Sequence, residues 1–346
     1  MATTALSTGN LTLVDLAKRT KDGAMIPIVE ALQQKNSYLQ SRVWKDGNTD
    51  LGHIVAARNS LPSISWVRLN EGVLPSKSTV DTYTEGTGIL EGLSSLEEKL
   101  VSVNGNTPGY RAQEDDAFLA QMANTLESAF FYESTLANPE RIMGLSARLG
   151  STTGKYGNQI VKAQTADTGA DQNSIWMIGW SDRTVYGITP RGQPTGLTAD
   201  DRGLQRDKDS TTGKVTYKWE TMFRWRCGLC VEDYRYVVRV ANIASSTLTI
   251  NGGAGGGSGA DIIAAMVMAW YRIFDPKQAR MALYCNRTVA AYLHMQALRG
   301  TANSALTVLP APMIGSPGYS GQPITAFMGA PIYVTDGLTN TETYVS

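Results

Sequence analysis

Hydrophobic and polar positions first separate at helical spacing in residues 113–133, QEDDAFLAQMANTLESAFFYE. Apolar residues recur there every three or four positions, which is typical of a helix with one buried face. Acidic residues at 114–116 come first, where a helix dipole favours negative charge. The residue before Pro139 resists helix, so the segment ends upstream of it. The pattern predicts one long helix, whose apolar stripe is Phe118, Leu119, Met122, Leu126, Ala129 and Phe130.

Strict alternation of apolar and polar positions follows in residues 217–231. It predicts a long strand with one buried face. The alternation changes phase near Glu232 and Asp233, where we expect a bulge or turn. Shorter patterns predict two strands in 176–188, a helix at 261–274, a strand at 280–285, a helix at 287–298 and a strand at 332–335. Because strands and helices mix without regular βαβ repetition, the predicted fold class is α+β.

Residues 42–104 contain strand patterns but little material for a core of their own. Segments 63–69 (SISWVRL) and 79–84 (TVDTYT) are rich in β-branched and aromatic residues and are flanked by glycine and proline. They predict the two strands of a long hairpin. Such a hairpin is marginal in water unless it packs on another surface. We therefore expect a partner chain to cover it, through the candidate contact residues Ile64, Trp66, Leu69, Val80 and Tyr83.

The leader, residues 1–40, is polar and carries two short helical patterns, one around Leu16 and one after Pro27. Neither is long enough to be stable alone in water. The leader is either an ordinary helical hairpin on the same domain or an arm that reaches a neighbouring copy. Segments 189–213, 251–260 and 301–322 are rich in glycine or proline and are predicted to be loops.

Composition restricts the function. The chain has 346 residues, 42% of them hydrophobic, which is enough for a packed core. Lysine plus arginine and aspartate plus glutamate number 31 each, and this balance argues against a dedicated nucleic-acid binder. Three cysteines are too few for a disulfide framework and fit a reducing compartment. We see no signal peptide and no apolar run that could span a bilayer, so we expect a soluble protein made in a cytoplasm.

No catalytic, cofactor-binding or metal-binding constellation stands out. The two histidines lie in no zinc or triad motif, and no G-x-S-x-G is present. Cys227 and Cys230 form C-x-x-C on the predicted strand, where residues three apart point to opposite faces. Segment 255–260 lacks the Lys-Ser/Thr of a phosphate loop, and 207–218 lacks the glycine and glutamate of a calcium loop. We predict no enzyme, no cofactor and no metal.

Four arginines lie among aromatic residues between positions 224 and 239 and could stack on bases. Acidic residues at 220, 232 and 233 interleave with them. We therefore expect a self-neutralised polar face there, not a nucleic-acid site.

Five stretches carry a resemblance to a known family when they are taken together. They are RVWKDGNTDLGHIVAARNSLPSISWVRLNEGVLPSKST (42–79), NPERIMGLSARL (138–149), WMIGWSDRTVYGITPRGQPTGL (176–197), FRWRCGLCVEDYRYVVRVANI (223–243) and FMGAPIYVTDGL (327–338). In this order and spacing they resemble the major capsid proteins of the epsilon-fifteen group of short-tailed double-stranded-DNA phages. The resemblance covers most of residues 40–340. It leaves the glycine-rich 252–259 and the chain before Leu11 unmatched.

The resemblance implies the Hong Kong 97 capsid fold, a mixed α+β architecture. In this sequence its parts would be an N-terminal arm (1–41), an extended hairpin loop (42–104), a peripheral domain with a spine helix (105–175, helix 113–133), an axial domain that shares strands with the peripheral sheet (176–326) and a strand that returns to the peripheral domain (327–346).

The resemblance also implies a function. The chain would be a major capsid protein that forms hexamers and pentamers of an icosahedral virion shell around packaged double-stranded DNA, assembled in the cytoplasm of a bacterial host. Its partners would be other copies of itself, portal, scaffolding and staple or decoration proteins, and DNA through non-specific contacts, with no membrane. The alternatives are an encapsulin-like compartment of the same fold and a cementing or adhesive virion protein. Shell contents distinguish the first, and self-assembly of the purified chain distinguishes the second.

Overall fold

One long helix and one long strand organise the fold. The computed structural model describes residues 20–21, 24–25, 36–102, 107–164, 169–193, 196–208, 213–248, 261–298, 306–308 and 325–346. The predicted leader helices, the glycine-rich loop 251–260 and most of the loop 301–322 lie outside the described residues.

The predicted long helix runs from Thr107 to Tyr132, and we call it the spine helix. It begins earlier than predicted because Pro108 suits a first helical turn, where the missing N–H is not needed. The acidic residues at 114–116 therefore lie beyond the first turn. The predicted stripe is confirmed at Met122 and Leu126, which are buried. Within the described residues the other helices are Ser37–Ser41, Glu98–Ser102, Leu145–Arg148, Ile262–Trp270 and Arg287–Leu298, with 3-10 turns at Gly157–Gln159, Tyr234–Tyr236, Ser245–Thr247 and Pro276–Gln278.

The described strands are mostly antiparallel neighbours, with a few parallel pairs. In chain order they are Thr20–Lys21, Ala24–Met25, Trp44–Asp46, Gly52–Ser60, Thr79–Gly86, Gly88–Glu97, Ile160–Lys162, Gln172–Trp180, Val185–Thr189, Leu197–Lys208, Val215–Val231, Val237–Ala244, Arg280–Cys285, Leu306–Val308, Thr325–Phe327 and Ala330–Val334.

The predicted long strand is Val215–Val231, and it joins two sheets. Residues 215–227 lie between Gly88–Glu97 and Leu197–Lys208 in what we call the outer sheet. Residues 228–231 pair instead with Val185–Thr189 in what we call the central sheet. One strand therefore carries hydrogen bonds of both sheets.

The spine helix covers one face of the outer sheet. The Phe118 ring stacks on Phe223 with centroids 6.2 Å apart. Near the start of the helix, Arg111 donates to the Thr221 hydroxyl at 3.2 Å and pairs with Asp201 at 2.6 Å. The other face carries Ile89 and Leu93, which are exposed in the subunit.

The central sheet has a core on each face. Its middle strand, Gln172–Trp180, is buried at every position. Ile175 and Met177 pack with helices 262–270 and 287–298 on one face. On the other face Trp176, Ile178 and Trp180 pack with the C-terminal end of the spine helix and with Tyr38, because successive side chains of a strand alternate between faces.

Two strand predictions were wrong. The first hairpin strand is Gly52–Ser60, not 63–69, and residues 61–78 contain no strand. Pro62 and Pro75 explain this, since proline cannot donate to a β-ladder. The predicted loop 189–213 contains the strand Leu197–Lys208, whose two faces are mostly solvated, so hydrophobic alternation could not reveal it.

The last predicted strand is present as Ala330–Val334. It pairs in parallel with Arg280–Cys285 in the central sheet. The predicted division into arm, extended loop, peripheral domain and axial domain stays a prediction.

Candidate assembly surface

The hairpin of residues 52–86 leaves most of its side chains exposed in the subunit, and we call it the finger. Its strands Gly52–Ser60 and Thr79–Gly86 pair in antiparallel register, from Gly52 opposite Gly86 to Ser60 opposite Thr79. We call residues 61–78 the tip. Nearly every tip residue is exposed.

Four of the five predicted contact residues lie on this exposed surface. Ile64 is 93% exposed, Trp66 104%, Leu69 96% and Val80 54%. A cluster of large apolar side chains on a surface marks an interaction site, because exposing these side chains to water does not stabilise the isolated subunit. Sequence reasoning missed four further exposed apolar tip residues, Leu61, Val67, Val73 and Leu74.

The fifth predicted residue, Tyr83, faces its own subunit. Its hydroxyl donates to the carbonyl of Val231 at 2.9 Å, with the Glu232 carbonyl at 3.1 Å, and its ring packs beside Val55 and Tyr186. Burial raises the pKa of the Tyr83 phenol. The partly buried Tyr83 side chain therefore fixes the finger to its own subunit.

A buried ion pair fastens the root of the finger. The Arg148 guanidinium donates to both carboxylate oxygens of Glu85, with a distance of 2.6 Å for Nη2–Oε2. It also donates to the Tyr234 hydroxyl at 3.0 Å and to the Leu229 carbonyl at 3.2 Å. The two side chains of the pair are 5% and 7% exposed. Bidentate charge-assisted bonds of this kind fix geometry as well as distance.

Close backbone packing completes the root. The Asn48 side chain accepts from the Ile54 N–H at 2.7 Å and donates to the Ile54 carbonyl at 2.8 Å. A Cβ at Gly52 would lie 2.1 Å from the Glu85 carbonyl oxygen, so only glycine fits there. These contacts fix the orientation of the finger relative to the body of the subunit.

Candidate chemistry elsewhere is structural. Cys227 and Cys230 are buried in different clusters, as the strand geometry predicted, and burial raises the pKa of each thiol to about 11. Among the described residues, no group of three acidic, cysteine or histidine side chains could hold a metal ion. No helix in the described ranges is both long and apolar enough to cross a bilayer.

Three of the four arginines in this segment pair with acidic side chains, but only Asp233 is among the predicted acidic partners and the pair of Arg239 with Glu342 is buried, so the prediction of a self-neutralised face is met only in part. Arg224 bonds to Glu91 at 2.5 Å, Arg235 to Asp233 at 2.7 Å and Arg239 to Glu342 at 2.8 Å.

The fold has solved relatives. The chain is similar to the capsid protein of bacteriophage Epsilon15 at 27% identity, with a TM-score of 0.75 over 100% of this chain and 99% of that chain. It is similar at 13% identity and a TM-score of 0.45 to the capsid protein of bacteriophage JBD30, over 76% of this chain and 83% of that one. An encapsulin of Synechococcus elongatus gives 10% identity and a TM-score of 0.43, over 68% and 97%. The last two likenesses are too slight to carry an argument.

No curated protein matches the sequence. The predicted fold class, α+β of the Hong Kong 97 type, is confirmed by the likeness to the Epsilon15 capsid.

A family profile described as Major capsid protein GP7 matches residues 20–346. This range contains the spine helix, both sheets and the whole finger. The chain therefore belongs to the GP7 family of major capsid proteins, the structural subunits of an icosahedral virion shell.

Proposed function

We propose that copies of this capsid subunit close into rings of five and six by laying each finger over the adjacent copy, and that these rings form the shell around packaged double-stranded DNA. The observation that carries the proposal is the exposed apolar tip on a rigidly held root. A surface patch that contacts a different patch on the next copy closes into a ring when the rotation between copies permits it.

The energetics favour many modest contacts per subunit. Burying an isoleucine, leucine or similar side chain contributes roughly 1.5–3 kcal/mol. Association costs several kcal/mol in lost freedom, so one finger gives only a weak contact by itself. In a closed ring every subunit both gives and receives a finger, and linked contacts act at high effective concentration.

The charge balance fits this mode of assembly. With 31 basic and 31 acidic residues, copies approach one another without strong mutual repulsion. The same balance provides no basic surplus for a dedicated DNA-binding site, so we propose only non-specific contact with packaged DNA. We include portal, scaffolding and staple or decoration proteins as partners on the strength of the family alone. A family of structural shell proteins implies a non-enzymatic role.

The test removes the tip and keeps the root. Because Ser60 pairs directly with Thr79, residues 61–78 can be replaced by Asn-Gly, which forms a two-residue hairpin turn. We call this the short-finger variant. We expect it to unfold with the wild-type midpoint at low concentration and to form no shells in electron microscopy or sedimentation.

A length-matched variant separates apolar contact from chain length. Ile64→Ser, Trp66→Ser and Leu69→Ser together should also prevent assembly, whereas Leu136→Ser changes an equally exposed leucine outside the finger and should not. Shells of normal size and yield from the short-finger variant would refute the proposal. The contents of wild-type shells, DNA or enzyme, distinguish a virion shell from an encapsulin-like compartment.

A further inference from the structure

We propose that a cavity beside the root of the finger receives the Trp66 side chain of a neighbouring copy. This inference rests on the proposed function and names where the finger docks. The cavity has a volume of about 270 Å³ and lies between the spine helix, the strand Gly88–Glu97 and the segment 140–142. Its floor is the outer sheet at Trp225 and Cys227.

The cavity matches an indole in size and character. Its walls are mainly apolar and include Leu90, Leu126, Ala129 and Ile142. An apolar cavity of roughly 150 Å³ is enough to bind benzene, so this larger one accommodates the two fused rings of tryptophan. Fully desolvated pockets that take a tryptophan are the usual energetic centre of a protein interface.

The rim of the cavity matches the residues around Trp66. Glu133 and Glu140 lie at the rim with one arginine, Arg141, which bonds to Glu133 at 2.5 Å. The Glu140 side chain is 71% exposed, and Arg141 is 3.8 Å from it. Two carboxylates beside one cation leave the rim negative, and the tip carries Arg68 two positions after Trp66. Opposite charge near the anchor favours the docked orientation.

The subunit cannot fill its own cavity. The cavity lies next to the root of the finger, because its lining residue Gly88 is two positions after Gly86, where the finger ends. The strand Gly52–Ser60 has nine residues, so it carries the tip about 30 Å from the root at 3.3 Å per residue. The Trp66 side chain therefore reaches the cavity of another copy, and each subunit in a ring both supplies and accepts one tryptophan.

The direct test is disulfide cross-linking in assembled shells. We combine Ser65→Cys, beside the intact Trp66 anchor, with Thr125→Cys at the cavity rim, in a Cys227→Ser background that removes the native thiol from the cavity. Oxidised shells should give a ladder of linked chains up to five and six in non-reducing gels. The matched control pairs Ser65→Cys with Leu93→Cys, on the face of the outer sheet away from the spine helix, and should give monomers.

The outcomes separate the two proposals. A ladder with Leu93→Cys and none with Thr125→Cys overturns the cavity as the docking site and leaves the finger contact intact. Shells that give no interchain link from position 65 to either site overturn the docking of the tip as well.

A second measurement fills the cavity by a substitution in the spine helix and compares the effect with that of substitutions at Trp66. Ala129→Phe places a ring in the cavity from the spine helix and should raise the protein concentration needed for assembly at least tenfold. Trp66→Ala should do the same, and Trp66→Phe should restore part of the loss. Assembly of Ala129→Phe at the wild-type concentration, with wild-type unfolding, contradicts the proposal.

Discussion

Two short segments of similar chemistry have opposite surroundings in this subunit. Residues 63–66 read SISW and residues 174–177 read SIWM. Trp66 is 104% exposed and Trp176 is 0% exposed. The second segment lies between Val237–Ala244 and Arg280–Cys285 with a packed layer on each face, whereas residues 61–78 have no neighbouring strand. The comparison teaches that an apolar segment stabilises the subunit only where the subunit supplies its neighbours; elsewhere it is available to another copy.

The root of the finger connects the exposed tip to the packed body. Disrupting the ion pair at the root should have the largest effect on the free energy of unfolding. Glu85→Gln leaves the buried Arg148 cation without its carboxylate. We expect a loss of about 3–5 kcal/mol in the free energy of unfolding, because an unpaired buried charge is costly. Urea denaturation of the short-finger variant measures this without interference from assembly.

The matched control for the root is Glu91→Gln. Glu91 pairs with Arg224, but their side chains are 38% and 39% exposed. Exposed pairs contribute about 0–1 kcal/mol. Equal losses in both variants would mean that the buried pair does not hold the finger. For the same reason, deleting the whole finger would remove Glu85 and confuse folding with assembly, whereas the short-finger variant avoids this.

The comparison of the two segments can be tested directly with one substitution in each. Ile175→Ala in the buried segment should cost about 2–5 kcal/mol in the unfolding of the unassembled chain. Ile64→Ala in the tip should leave that unfolding unchanged and weaken assembly. Urea denaturation at low concentration and sedimentation of shells give the two readouts. A large loss of subunit stability from Ile64→Ala would show that the tip is covered by its own body.

A smaller effect is expected from a carboxyl group in the core. Glu127 on the spine helix accepts from the Tyr38 N–H at 3.2 Å and bonds to the Thr335 hydroxyl. Burial raises the pKa of Glu127 above its ordinary value, and the hydrogen bonds oppose this only in part. The folded chain therefore holds this proton more tightly than the unfolded chain does. The stability that results is complete below about pH 4.3, the unfolded pKa, and is lost as pH rises through the raised folded pKa.

The measurement compares the pH profiles of two chains. The difference in free energy of unfolding between the short-finger variant and the same chain with Glu127→Gln should fall as pH rises from 4 towards neutrality, because only Glu127 differs between the two chains. A difference between the two chains that runs in the opposite direction with pH would mean that the hydrogen bonds outweigh the burial of Glu127.

The sequence predicts those helices and strands that have one face exposed to solvent and the other face buried. The apolar stripe of the spine helix and the alternation of Val215–Val231 have this character, and both were found. The strand Leu197–Lys208 is solvated on both faces, so its pairing is visible only in the fold. Glu85 and Arg148 are far apart in the chain, and nothing in local patterning indicates that two charged residues meet in the interior.

The exposed surface of the finger was predictable in composition but not in orientation. Ile64, Trp66, Leu69 and Val80 are exposed, as expected for a hairpin that lacks a core of its own, and they stay predicted contact residues. The inward orientation of Tyr83 was not predictable, because alternation shows that two faces exist and does not show which one meets the body. A shift of one residue exchanges the faces, and only the register of Gly52–Ser60 with Thr79–Gly86 decides between them.

The strand Val215–Val231 crosses from the outer sheet to the central sheet without a break. A hinge between the two sheets would have to break hydrogen bonds of this strand, so we expect the two sheets to move together. A change in the size of the shell would then take place at the contacts between subunits, where we propose that the fingers lie.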